Sequence, residues 1–109
     1  VEAVVSGHLA EGRMVVTVGG EHSITAGAVT AYHRRHPGMT VVQLDAHGDL
    51  RDEYEESRYN HACVMRRVRE RGIPTLAVGI RSLSREEGIH RLGARRCHAV
   101  AQWTGRPTT

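Results

Sequence analysis

Phenylalanine is absent from this 109-residue chain, and aromatic side chains make up only 4% of it. A core built on large rings is excluded. Burial must rest on Val, Ala, Leu and Ile, a composition that suits buried parallel strands with small-residue helices packed on them. Cysteine is scarce too: Cys63 and Cys97 are the only thiols. They form no C-x-x-C pair and fall short of the disulfide framework of a small secreted domain, so both are expected to be reduced and structural. No apolar run is long enough to cross a bilayer, and neither a signal peptide nor a lipidation signal is evident. No membrane partner is expected, and the expected compartment is cytoplasmic. The net charge of +3 comes from arginine. With no aromatic-plus-basic stripe beside it, so modest a balance argues against a nucleic-acid partner.

The length suggests one domain, 1–109, able to bury roughly two thirds of its unfolded surface. A first residue of Val rather than Met fits an internal piece. Met14 to Val18 reads as a short strand ending at Gly19-Gly20. Ser23 is a candidate N-cap for a helix reaching about His36, where Pro37-Gly38 stops it. Thr40 to Leu44 reads as a second strand. A helix is expected over His61 to Arg71, with Gly72 as its left-handed cap. Thr75 to Gly79 reads as a third strand. Ser84-Arg85-Glu86-Glu87 matches a capping box and should open a short helix ending near Gly93. A fourth strand is expected over Cys97 to Val100, and the polar tail 102–109 is expected to fray. Strand and helix alternating at this rhythm imply parallel βαβ units, with ligands gathered beyond the carboxyl ends of the strands.

One stretch falls at such an end. Asp45-Ala46-His47-Gly48-Asp49 follows an apolar run, one unit after Gly19-Gly20-Glu21-His22-Ser23. In extended backbone, alternate side chains share a side, so Asp45, His47 and Asp49 would project together. Two carboxylates and an imidazole form a face for a divalent metal, and His22 is placed to add a fourth ligand. Oxygen and imidazole donors without thiolate favour a hard or borderline ion such as Mn²⁺ over a structural zinc. Metal-assisted hydrolysis is the leading reading. A nucleotide-binding α/β domain is a weak one, because Gly19-Gly20 does not extend into a G-x-G-x-x-G or phosphate-loop pattern.

These blocks, together with Tyr59-Asn60-His61-Ala62-Cys63 and Val78-Gly79-Ile80-Arg81-Ser82, resemble the consecutive signatures of the ureohydrolase (arginase/agmatinase) family. Arg51-Asp52 and His61 to Arg66 are most similar to agmatinases. The resemblance runs from about Met14 to Ser84. It implies a three-layer α/β/α fold with a parallel sheet, of which this chain holds about half. It implies hydrolysis of a guanidino C–N bond, agmatine and water giving urea and putrescine, by a hydroxide bridging two Mn²⁺ ions. Arginase, guanidinobutyrase and formiminoglutamase are alternatives, as is a non-catalytic fragment that keeps part of the metal site. On the family pattern His22 and Asp49 serve one metal, His47 the other, and Asp45 bridges both and counts as catalytic. His61 is implied as a proton-transfer or substrate-positioning residue. The family's downstream Asp-x-Asp-x-x-Asp-Pro block is absent, so this polypeptide alone is expected to be inactive. The complete enzyme is expected to be a homo-oligomer acting on a small cationic guanidino substrate.

Other polar residues have plainer readings. Glu21 supports His22. Arg51, Asp52, Glu53, Glu55 and Glu56 are a solvated loop, or an acidic lure for a cationic substrate. Arg66-Arg67-Val68-Arg69-Glu70-Arg71 reads as a solvated helix face. Arg81 is expected to pair with a carboxylate, and Tyr54 and Tyr59 to pack against loops. Asn60 stands where many relatives have Ser. His8, His33, His36, His90 and His98 read as ordinary surface or core histidines.

Overall fold

A computed structural model of the chain describes residues 1–93 and 97–98, with side chains through residue 89. The tail at 102–109 and the end of the fourth expected strand lie outside the described residues. The elements are α1 (Glu2–Ala10), α2 (Ile24–Arg35), β1 (Val41–Leu44), a 3-10 turn (His61–Cys63), α3 (Val64–Glu70), β2 (Thr75–Val78), α4 (Arg85–Gly93) and β3 (Cys97–His98). The strands form one parallel sheet in the order β1-β2-β3, with Val41 opposite Thr75 and Leu44 opposite Val78.

Register decides which sheet face is covered. Gln43, Thr75 and Ala77 are buried on one face, where Val41 packs on a core of Leu50, Val64 and Met65. Ala26 of α2 joins this core. On the other face Val42 and Leu44 remain 56% and 79% exposed. The described residues therefore supply a helix layer and a sheet, two layers of the expected three. A second core joins α1 to α2 through Val5, Leu9 and Ala31, with Tyr32 packed against it. That helix was not anticipated, although Val5 and Leu9 at i, i+4 spacing mark its buried face.

The structure corrects several local expectations. Residues 14–18 pair with no strand among the described residues, and Met14, Val16 and Val18 are exposed. The Tyr32 hydroxyl stands in for a neighbouring strand at Val15, accepting from its N–H (2.7 Å) and donating to its C=O (2.8 Å). Ser23 occupies the N-cap position of α2, but it is itself helical and makes no side-chain cap bond. Its hydroxyl donates to Glu21 Oε1 instead. The helix expected over residues 61–71 is split at Cys63, where Asn60 Oδ1 caps the 3-10 turn by accepting from Ala62 N–H. Gly72 takes the positive φ expected after the helix, +73°.

The arginine-rich helix face is not simply solvated. Arg67 has a side chain only 6% exposed, and its Nη2 lies 2.6 Å from Asp52 Oδ1 and 3.2 Å from Glu70 Oε1. A buried cation requires such partners. Arg58 shares Asp52 Oδ1 at 2.9 Å. Arg67 and then Arg58 hold the Asp52 carboxyl down to a pKa of about 2. Asp52 is thus engaged by arginines, and the lure reading of this loop loses that member.

Candidate metal centre

The site begins where β1 ends. Asp45 N–H still donates to Val78 O (3.1 Å), after which the chain leaves regular extended geometry. The Asp45 side chain closes a turn by accepting from His47 N–H at Oδ1 (2.9 Å). Arg81 and Ser82 N–H groups donate to Ala46 O at 2.9 Å each, tying this loop to the segment after β2. Gly79, at the end of β2, has a φ of +86°, and a Cβ there would lie 3.2 Å from Asp45 O. Glycine permits that approach. Asp49 reaches a φ of +52°, uncommon for a side-chain-bearing residue. Simple alternation therefore does not describe residues 45 to 49: a turn and a left-handed residue shape this stretch.

The outcome is a tight donor cluster. One ligand atom each from His22, Asp45 and Asp49 lies within 4.8 Å of the others. His22 Nδ1 is 2.8 Å from Asp49 Oδ2 and 4.0 Å from Asp45 Oδ2. His47 is largely exposed and stands outside this trio, with its Nδ1 3.3 Å from the other Asp45 oxygen, Oδ1. Asp45 thus turns one oxygen toward each histidine. The Asp49 hydrogen bond, aided by the charges of Asp49, Asp45 and Glu21, raises the His22 pKa above its ordinary value despite burial. Burial would raise Asp45, but donors from His47 and Ala46 and the nearby His22 bring it below the usual carboxylate range. A nitrogen and two carboxylates at such separations fit a divalent cation, so the donor chemistry agrees with a metal site.

Around the cluster lies a cleft of about 490 Å³ whose wall includes Arg51, Tyr54 and His61. His61 opens the 3-10 turn, with Nδ1 3.6 Å from Glu21 Oε2. The Tyr54 ring meets the His61 ring nearly edge to face, 5.7 Å between centroids and 78° between planes. Arg51 lies over the Tyr54 ring, 4.9 Å from its centroid. Tyr54 therefore packs as expected. Tyr59 does not, being 74% exposed. Arg81 is exposed, and among the described residues its side chain makes no ion pair, contrary to expectation. Cys63 is a free, fully buried thiol whose pKa burial pushes up. The side chains of Cys97, His90 and His98 lie outside the described set.

Two supporting residues escaped the sequence reading. Gln43 is buried on β1 and donates from Nε2 to His47 O (3.0 Å). A lone amide inside Val41-Val42-Gln43-Leu44 was the available signal. Glu87 was foreseen only as a capping-box member. The box does form, Ser84 N–H donating to Glu87 Oε2 (2.7 Å) and Glu87 N–H to Ser84 Oγ (3.3 Å). The carboxylate also reaches back, accepting from Leu50 N–H at Oε1 (2.9 Å). Burial would raise its pKa, but these donors more than offset it and keep the group below its ordinary value.

The chain matches the arginase family over residues 1–104. It is 56% identical over 78 residues to the N(1)-aminopropylagmatine ureohydrolase of Synechocystis, covering 71% of this chain and 26% of that one. It is 46% identical over 72 residues to the agmatinase of Pyrococcus horikoshii, covering 66% and 24%. The crystal structure of the agmatine ureohydrolase of Thermoplasma volcanium superposes with a TM-score of 0.71 at 38% identity, covering 91% of this chain and 33% of that one. The chain thus spans about a quarter of the length of these two curated relatives.

Proposed function

This chain belongs to the arginase family, and on that premise we propose that it forms the metal-binding part of a ureohydrolase acting on agmatine-type guanidines. The observation that carries this reading is the convergence of His22, Asp45 and Asp49 within 4.8 Å beside the cleft that holds His61. His22, Asp45 and Asp49 would hold one Mn²⁺, and His47 with the second Asp45 oxygen would contribute to another. Metal bound there supplies activation of water and charge compensation for a reaction at a resonance-stabilised guanidinium carbon.

The chain's own residues do the rest. Asp45 and Asp49 would offset part of the charge of the bound metal and so ease the approach of a cationic guanidinium. His61, with Nδ1 turned toward Glu21, keeps Nε2 for giving a proton to the departing amine. Tyr54 packs edge to face against that imidazole. Agmatine would yield urea and putrescine. N(1)-aminopropylagmatine is the second candidate substrate, since the 56% identical relative carries that name. The polypeptide alone supplies four side chains to a site whose family pattern needs more, so alone it binds Mn²⁺ weakly and turns over little.

The test is a chimera in which this chain replaces the segment it matches in the Pyrococcus horikoshii agmatinase. Loaded with Mn²⁺, it should release urea from agmatine or N(1)-aminopropylagmatine, and His61→Ala should lower kcat by about 10²- to 10⁴-fold while metal content holds. A folded, metal-loaded chimera that releases no urea from either compound overturns the proposal.

A further inference from the structure

Asp49 adopts a left-handed backbone, φ +52°, that side-chain-bearing residues seldom hold. At this position the surroundings over-determine it. Two sets of bonds do so here. On one side, Asp49 O accepts from the Met65 and Arg66 N–H groups at the start of α3, at 3.0 and 3.2 Å. On the other, the next amide, Leu50 N–H, donates to Glu87 Oε1 at 2.9 Å. Glu87 lies 37 residues further along the chain and is only 6% exposed. Its other oxygen is fixed by Ser84 N–H, so the carboxylate cannot swing away. The peptide after Asp49 is pinned at both ends, and this aims Asp49 Oδ2 at His22 Nδ1 across 2.8 Å.

We infer that Glu87 is a positioning residue for the metal centre: by capturing the Leu50 amide it locks Asp49 in the backbone state that presents its carboxylate beside His22 and Asp45. This rests on the metal reading proposed above. Glutamate is the residue type the role requires. Both of its oxygens accept, and both receive a main-chain N–H. A glutamine offers one acceptor and one NH₂, so one of the two amides would face a donor in a buried setting. An aspartate is one methylene too short to span the same two amides.

The experiment takes as parent the Mn²⁺-loaded chimera described above and compares it with its Glu87→Gln and Ser84→Ala variants. Mn²⁺ binding is followed by the electron paramagnetic resonance of free ion, and hydrogen exchange is read at the Leu50 amide. Ser84→Ala removes the hydroxyl that accepts from Glu87 N–H and leaves the Glu87–Leu50 bond in place, so it controls for weakening of the α4 start. Glu87→Gln should weaken Mn²⁺ binding by about 10- to 100-fold, the usual effect of losing a group that orients a ligand, and should speed exchange at Leu50. Ser84→Ala should hold Mn²⁺ within about twofold of the parent. Equal Mn²⁺ affinity in Glu87→Gln and the parent overturns the inference and leaves the metal reading standing. So does an equal loss in both variants, which would assign the effect to helix capping. If the parent binds no Mn²⁺, the metal reading falls and this inference with it. Should Glu87→Gln lose its fold, the parent's own Leu50 amide decides. Exchange there as fast as in an exposed loop overturns the inference, and strong protection supports it.

Discussion

His22 and Asp49, 27 residues apart, meet through one hydrogen bond of 2.8 Å between Nδ1 and Oδ2. Asp49→Asn keeps an oxygen for that bond but removes the charge a divalent ion needs. Mn²⁺ binding should fall at least about 10-fold, and the variant should remain folded. Isothermal titration with parallel circular dichroism checks this, and unchanged affinity would count against Asp49 as a ligand.

Asp52 sets a second expectation, in acid. Its folded pKa, about 2, lies below the ordinary 3.8, because Arg67 and Arg58 favour the ionised form. A depressed carboxyl contributes stability that is fully present above pH 3.8 and is lost as pH falls through about 2. The carboxyl is open to solvent, so salt should reduce the effect. In urea unfolding, Asp52→Asn should lower the midpoint at pH 5, and the difference from the parent should shrink steadily as pH falls from 3.8 toward 2. A difference independent of pH would show that the ion pairs are not its source.

Met65 is 2% exposed and packs with Leu50 and Val64 beneath the sheet. Met65→Ala should cost about 2–5 kcal/mol, the usual range for emptying a packed site. Since the loss falls directly behind the Asp49 loop, hydrogen exchange at Leu50 should quicken along with the drop in urea midpoint. Destabilisation below about 1 kcal/mol would mean that this core repacks freely.

Gly79 and Gly72 provide a matched pair. Both hold positive φ, +86° and +73°, but only Gly79 faces another backbone, with Asp45 O 3.2 Å from a built Cβ. Alanine at either position should cost roughly 1–2 kcal/mol for the left-handed conformation. Gly79→Ala should cost more, and it alone should disturb the Asp45 turn. Thermal unfolding of the two variants compares them directly, and equal losses would remove the contact from the account.

Local signals in the sequence were followed by local structure. Pro37-Gly38, Gly72 and the Ser84 to Glu87 box each punctuate the chain where it turns, because each acts through its own backbone or its near neighbours. Non-local partners were not legible. Met14 to Val18 has the composition of a strand, yet pairing depends on a neighbour that composition does not reveal, and the segment is tied by Tyr32 instead. Arg67 reads as exposed in a run of charges, and its shortest ion pair is to Asp52, 15 residues away and beyond the reach of a local reading. His22, Asp45, His47 and Asp49 are expected as a group from residue type and order, and of these His22, Asp45 and Asp49 converge while His47 stands outside the trio. The shape of residues 45 to 49, an aspartate-closed turn and one left-handed residue, depends on φ values and contacts that alternation does not encode.

The two-sided carboxylate of Asp45 leaves no neutral substitute. Oδ1 receives the His47 amide while Oδ2 faces His22. An asparagine has a single oxygen, and whichever way its amide rotates, one neighbour meets an NH₂ group. Turned one way, the loop loses its closing bond; turned the other, the donor trio loses a member. The smallest isosteric change at this position therefore forces a choice between the shape of the loop and its capacity to hold an ion.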